Sequence, residues 1–297
     1  MHRSSAPISP LAPFDFAKSL RFLEGFSPTE GEQAIETGSI RKATRIGAKT
    51  ILFEVHATDG SSIERPELGV SLWSEQPIDD AVAAATIERV GRFLSVDDDV
   101  AAFYERAVGD PTLAPHVERL FGLHQVRFLT PFENACWAVM GQRTPISIAR
   151  RTKDAFVERY GGAIEVEGSM HRAFPEPADV AGLTADDLRP LVRNDRRADY
   201  LANVIEAWQD ADERWLRTGP YDDVSAWLRS IKGFGEWSTL FVLFRGLGRG
   251  ERMILTRPNA QAMRSAYGDR TDAELQTILD GYGPSAGYAL LYLRASS

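Results

Sequence analysis

The sequence predicts an α+β, mostly helical protein: a small antiparallel-sheet domain at the N-terminus, then a larger helical body that carries a helix-hairpin-helix motif. Three observations predict it. Residues 50–56 alternate at period two, setting Ile51, Phe53 and Val55 against Leu52, Glu54 and His56, and residues 69–74 form a similar short run with Leu72 and Trp73. From Ile78 nearly to the end the texture becomes helical. The stretch Ile231-Lys232-Gly233-Phe234-Gly235-Glu236-Trp237 then places a glycine-x-glycine turn directly before an amphipathic helix.

Taken in order, residues 1–13 hold Ser and Pro without a basic start, an apolar core or an Arg-rich amphipathic pattern, and read as a loose terminus. Residues 14–77 carry the strands, and the mixed domain is expected to span 1–110, followed by a helical domain over 111–297. Breaks in the helical part fall at Gly109-Asp110-Pro111, Gly161-Gly162, Pro175 to Pro177, Thr218-Gly219-Pro220, and Gly248 to Gly250. Thr130-Pro131-Phe132-Glu133 has the Thr and Glu of a capping box with Pro at the first helical position, and the helix it starts turns Phe132, Cys136, Val139 and Met140 inward. A further helix over 145–160 is expected to expose its basic residues. Another runs from about 223 to 230, and after the glycine turn Trp237, Leu240, Phe241, Phe244 and Leu247 recur at helical spacing and would bury one face. Because a glycine lacks Cβ, its backbone can take positive φ and its neighbouring N–H groups can approach an anion at a helix start, so this turn reads as a phosphate clamp. The same signature also ends ordinary helices through left-handed caps, so the turn alone leaves a plain helix–helix corner open.

Bulk numbers narrow the class. A chain of 297 residues suffices for two domains with a substantial core, and 43% hydrophobic with 26% charged residues is ordinary for a soluble globular protein. No apolar run is long enough for a membrane span, and the expected location is cytoplasmic, with the nucleoid. The one cysteine, Cys136, excludes an internal disulfide and a four-cysteine iron–sulfur cluster. The histidines lack metal-ligand spacing, since His116 and His124 have no third partner nearby. A net charge of −8 argues against a protein that coats nucleic acid non-specifically. Local clusters matter more: Arg143, Arg150, Arg151 and Lys153; Arg193, Arg196 and Arg197; Lys232, Arg245 and Arg249. Any one of these alone also reads as a solvated helix face.

Four blocks in order change the weight of the glycine turn. Thr130-Pro131-Phe132-Glu133 running to Gly141-Gln142, Arg197-Ala198-Asp199-Tyr200-Leu201, Gly233-Phe234-Gly235-Glu236-Trp237-Ser238, and Pro284-Ser285-Ala286-Gly287-Tyr288 resemble the helix-hairpin-helix DNA glycosylases. Within them the chain is most similar to the alkylation-repair branch, 3-methyladenine DNA glycosylase II, and Phe14-Asp15-Phe16 to Phe22-Leu23 resembles the opening of that branch's N-terminal domain. The resemblance implies two helical lobes with a cleft between them, into which a damaged base is flipped from double-stranded DNA before its N-glycosidic bond is cut by a monomeric enzyme. It implies that Lys232, Gly233, Phe234, Gly235 and Gln142 meet DNA, and that Arg143 plugs the gap left by the base; a phosphate contact from Arg143 is the alternative. The base pocket would be aromatic, with Phe22, Trp237, Phe241 and Tyr282 at or near it. No cofactor is implied, apart from the option of a monovalent cation at the hairpin. Relatives that nick the strand place a lysine where this chain has Trp237, so hydrolysis without strand cleavage is the implied chemistry.

One departure stands out. The family's catalytic aspartate precedes an arginine at the start of the helix after the hairpin helix, and aligning that arginine with Arg264 puts Asn259 in the aspartate position; an ungapped count from Trp237 lands instead on Arg257. Neither is acidic, and Glu251 and Asp269 flank the stretch. Asn can cap a helix, yet it neither carries charge nor takes a proton from water. Glu236 and Glu133 would substitute only if the fold points them into the cleft. Two expectations follow: weak hydrolysis of cationic alkylated bases, which are good leaving groups, or a damage-binding protein of the same fold without catalysis.

Overall fold

Alternation in the first third of the chain becomes a five-stranded antiparallel sheet. In the computed structural model, which describes residues 1–296, its strands are β1 (His2–Ile8), β2 (Gln33–Glu36), β3 (Ser39–Ile46), β4 (Lys49–Ala57) and β5 (Leu68–Ser74), in the spatial order β1-β5-β4-β3-β2. Helices α1 (Phe16–Glu24) and α2 (Asp80–Leu94) cover one face, where Phe16, Leu20, Phe93 and Leu94 meet Ile51, Phe53, Val55, Val70 and Leu72. The expected loose terminus is instead an ordered edge strand, paired along its length from His2↔Ser74 to Ile8↔Leu68. Its small side chains lack the large β-branched pattern that marks a strand, and Pro7 is tolerated because β1 lies at an edge.

Helices α3 (Ala101–Val108) and α4 (Ala114–Leu120) follow, then α5 (Pro131–Met140) and α6 (Ile146–Tyr160). A second departure from the expected helical texture comes next: β6 (Gly162–Val166) and β7 (Ser169–Ala173) form a hairpin whose two turn residues, Glu167 and Gly168, both take positive φ. Ile164, Val166 and Ala173 of this hairpin pack on Ala43, Leu52 and Trp73, so the second face of the sheet is covered as well.

The rest is helical: α7 (Ala185–Val192), α8 (Asp195–Gln209), α9 (Glu213–Thr218), α10 (Tyr221–Ser230), α11 (Glu236–Arg245), α12 (Arg257–Tyr267), α13 (Asp272–Asp280) and α14 (Ala286–Ala295). Two cores result. The first is centred on α5, all of whose residues are buried, and gathers α6 to α11 around it. The second joins Leu275, Leu290 and Tyr292 to Phe103 and Ala107 of α3 and to Leu113. The expected boundary at 110 therefore falls inside a stretch that packs with the chain's last helices. No helix among the described residues is long and apolar enough to cross a membrane.

Candidate nucleic-acid interface

Helix α10 stops at Ser230, the chain turns through Ile231 to Gly235, and α11 leaves at once. The two glycines do different work. Gly233 has φ +110, and a Cβ there would come within 2.4 Å of the Tyr200 ring on α8. Gly235 is the N-cap of α11 in an extended conformation, where an added Cβ would meet nothing within 4 Å, so positive φ applies to Gly233 only. A glycine N-cap offers no side-chain acceptor, which leaves the first-turn amides of α11 free for an anion. Phe234 between them is buried in the first helical core, so its side chain anchors the turn and only its backbone is available outside.

Gln142, at the corner after α5, is spent on this hairpin: its amide nitrogen donates to Gly233 O at 2.8 Å and to Ser238 Oγ at 3.1 Å. It thus holds the turn in place instead of presenting its amide to a ligand. Arg143 beside it is exposed, has φ +49, and makes no side-chain hydrogen bond or ion pair among the described residues. An arginine in the left-handed region costs about 1 kcal/mol or more, which the corner between α5 and α6 must supply. Lys232 is exposed, and its carbonyl accepts from Asn203 Nδ2 at 3.1 Å. A monovalent ion at the hairpin would have to share oxygens already engaged, since Ile231 O also accepts from Phe234 N. These residues do not single out an ion. Among the described residues no three His, Cys, Asp or Glu side chains are grouped to hold a metal.

The hairpin forms one wall of a groove of about 720 Å³ whose other sides are the corner at Gly141 to Arg143 and the start of α8. Arg143, Arg196 and Arg197 line it together with Trp237, and no carboxylate does. Arg197 is half-buried, which holds its pKa below the usual arginine value, and it donates to Gln142 O at 3.3 Å.

From the groove an aromatic run leads inward. Trp237 is 43% exposed and stacks on Phe241 at 5.1 Å; Phe241 meets Phe128 edge-on, Phe128 meets Phe26, and Phe26 stacks on Phe22. The α11 stripe expected to be buried is therefore half-open: Val242 and Leu243 face the core, while Trp237 and Phe241 form a wall. Phe26 and Phe128 escaped the sequence reading, although Phe26 lies one helical turn beyond Phe22. Tyr282 does not join the run. It is buried in the second helical core, where its hydroxyl donates to Asp110 Oδ2 at 2.7 Å.

Two cations expected on exposed faces lie beneath this run. Arg245 is buried over Phe26 and Phe22, at 4.4 and 5.0 Å from the ring centres, without an ion-pair partner among the described residues; burial, with Arg294 and Arg127 nearby, pushes its pKa down to about 9. Lys153 is buried against the Phe128 and Trp137 rings and is neutralised by Glu32 and by Glu133, the latter at 2.6 Å. Thr130 does cap α5, accepting from Glu133 N at 3.0 Å, but the Glu133 side chain completes this buried pair instead of the capping box. Glu133 is 1% exposed, and Glu236 is not among the residues that line the groove.

Asn259 is the third residue of α12 and not its N-cap, which is Thr256. It is buried, and its amide nitrogen donates to Ile254 O at 3.2 Å. Arg257 lines a separate open hollow with Arg264 and Asp269, and Glu251 is paired with Arg249 at 2.8 Å. The start of α12 thus holds no free carboxylate.

No family model matches the sequence. The chain is 27% identical to the DNA-3-methyladenine glycosylase of Bacillus subtilis over 238 residues, which span 79% of this chain and 76% of that protein. It shares its fold with the 3-methyladenine DNA-glycosylase from Archaeoglobus fulgidus, at a TM-score of 0.76 and 19% identity with 97% of each chain covered. The apo 8-oxoguanine glycosylase/lyase of Clostridium acetobutylicum also shares it, at a TM-score of 0.72 and 15% identity over 100% of this chain and 98% of that one. The chain is thus similar over most of its length to a DNA-3-methyladenine glycosylase, and its fold is that of the helix-hairpin-helix DNA glycosylases.

Proposed function

We propose that the protein is a DNA-repair glycosylase of the monofunctional type, which binds duplex DNA at the hairpin groove, extrudes an alkylated base and hydrolyses its N-glycosidic bond slowly. The observation that carries this reading is the groove itself: in a protein of net charge −8, three arginines, a bare helix start and an exposed tryptophan share one surface with no carboxylate among them. Extruding a base costs a few kcal/mol, least for a damaged one, and the Trp237–Phe241 stack offers a surface on which its ring can rest. Water then attacks C1′ of the sugar as the C1′–N bond breaks, the bonding pair leaves with the base, and the attacking water gives up a proton to bulk solvent. An N3- or N7-alkylated purine carries a positive charge beforehand and departs neutral, so it needs no proton from the protein. Trp237 cannot form a Schiff base, which leaves hydrolysis without strand cleavage.

A second reading, damage binding without catalysis, is favoured by Asn259. A carboxylate about 4 Å from the developing oxocarbenium ion, at an effective dielectric of about 20, contributes on the order of 4 kcal/mol, and an amide cannot replace that charge. Release of 3-methyladenine and 7-methylguanine from alkylated duplex DNA separates the two: measurable release supports the enzyme, and selective binding of alkylated duplex without release supports the binder. Gly235→Asp is expected to weaken duplex affinity about 100-fold by setting a negative charge at the anion site. Unchanged affinity would falsify the clamp assignment.

A further inference from the structure

The hairpin accounts for one wall of the groove, and the facing wall has cations of its own. On the first turn of α8, Arg196 is exposed and has no ion pair among the described residues, while Arg197 is half-buried and its guanidinium makes one hydrogen bond among them, to Gln142 O. The acids on the same turn do not neutralise them. Asp195 is held by Arg189, Nε to Oδ1 at 2.7 Å, and Asp199 does not line the groove. A guanidinium without a carboxylate, partly removed from water, is a site that lacks its anion.

We infer that Arg196 and Arg197 hold the phosphate backbone of the strand opposite the lesion, so that the protein grips both strands across the flipped site. The inference rests on the proposed function and adds a binding wall to it. Its geometric basis is the corner between the walls. Gln142 ties them together, receiving Arg197 on its carbonyl and donating its amide to Gly233 O, and the exposed Arg143 follows it at the junction. A side chain that fills the space of an extruded base lies within the base stack, between the two strands. Cationic walls on either side of it therefore address different backbones, the hairpin taking the lesion strand and α8 its complement.

Duplexes containing a tetrahydrofuran abasic site, with neutral methylphosphonate linkages placed near it in one strand or the other, test this strand by strand. Wild-type protein is expected to lose about tenfold in affinity for neutral linkages in either strand. The Arg196→Ala/Arg197→Ala variant is expected to bind the all-phosphate duplex about tenfold more weakly, with a salt-dependence slope lower by about two. It becomes indifferent to neutral linkages in the complement while remaining sensitive to those in the lesion strand; Gly235→Asp gives the reverse pattern. Arg196→Ala alone, at an exposed position outside the core, is expected to lower the slope by about one with an unchanged melting temperature. An α8 variant that keeps its sensitivity to the complement, or loses it for the lesion strand, overturns the inference and leaves the hairpin reading standing. Wild-type protein that binds no duplex overturns both.

Discussion

Helix α11 has a glycine for its N-cap and exposes Glu236 and Trp237 at its start, whereas α12 is capped by Thr256 and carries a buried asparagine at its third position. At α11 the backbone amides are left for a visitor and cations gather around them. At α12 the polar side chain is turned inward onto Ile254 O. The difference separates grip from chemistry. On the proposed reading, recognition rests on fixed backbone and several arginines, whereas hydrolysis would rest on a negative charge that the first turn of α12 does not carry.

The contrast breaks most decisively at Asn259→Asp. If the missing charge is what limits the α12 side, single-turnover release of 7-methylguanine rises by up to about three decades, in line with about 4 kcal/mol of transition-state stabilisation. An unchanged rate moves the chemical deficit elsewhere. Next in size is Gly233→Ala, which meets the Tyr200 ring and a positive φ together; urea denaturation is expected to show a loss of about 3 kcal/mol.

Acid sharpens the comparison from another side. Burial works to raise the Glu32 carboxyl, but Lys153 and Lys42 more than reverse it and hold it at about 2, below its ordinary 4.5. Its stabilisation is therefore complete above pH 4.5 and is lost as the pH falls through 2, on the order of 3 kcal/mol in all. Hydrogen exchange on that descent is expected to quicken in α5 and α6, which the pair joins to the sheet domain, before it quickens in α12. Glu32→Gln removes that dependence.

Smaller effects follow at the hairpin itself. Gln142→Glu replaces a donor to Gly233 O with an acceptor, and about tenfold weaker duplex binding is expected, with little change in the affinity of α12 variants relative to one another. Gly235→Ala sits in open space without a positive φ, so its stability should stay within about 0.5 kcal/mol of wild type while duplex affinity falls only a few-fold. A large stability loss there would erase the distinction between the two glycines.

Local signals were the legible ones. The Thr130 cap, the strands around Phe53 and Leu72, and the helix–turn–helix at Gly233 are each written within a few residues, and the structure has all of them. What escaped depended on distant partners. Lys153 reads as a solvated basic residue because Glu32, which neutralises it, comes 121 positions earlier. Arg245 reads the same way until Phe22 and Phe26 close over it. Strand β1 has no pattern of its own and takes its register from β5, and the resemblance points Tyr282 at the pocket, whereas Asp110 draws it into a core. The β6–β7 hairpin, with Ile164 and Val166 on one face before Glu167-Gly168, was readable but short.

The second helical core is assembled from both ends of the body: Phe103, Ala107 and Leu113 on one side, Leu275, Leu290 and Tyr292 on the other. During synthesis the ribosome releases the first set long before the second exists, with the whole α5-centred lobe translated in between. Those early apolar helices must wait uncovered until α13 and α14 emerge. A stop codon ahead of α13 would strand them permanently, and such a product belongs to chaperones and proteases, however intact its hairpin.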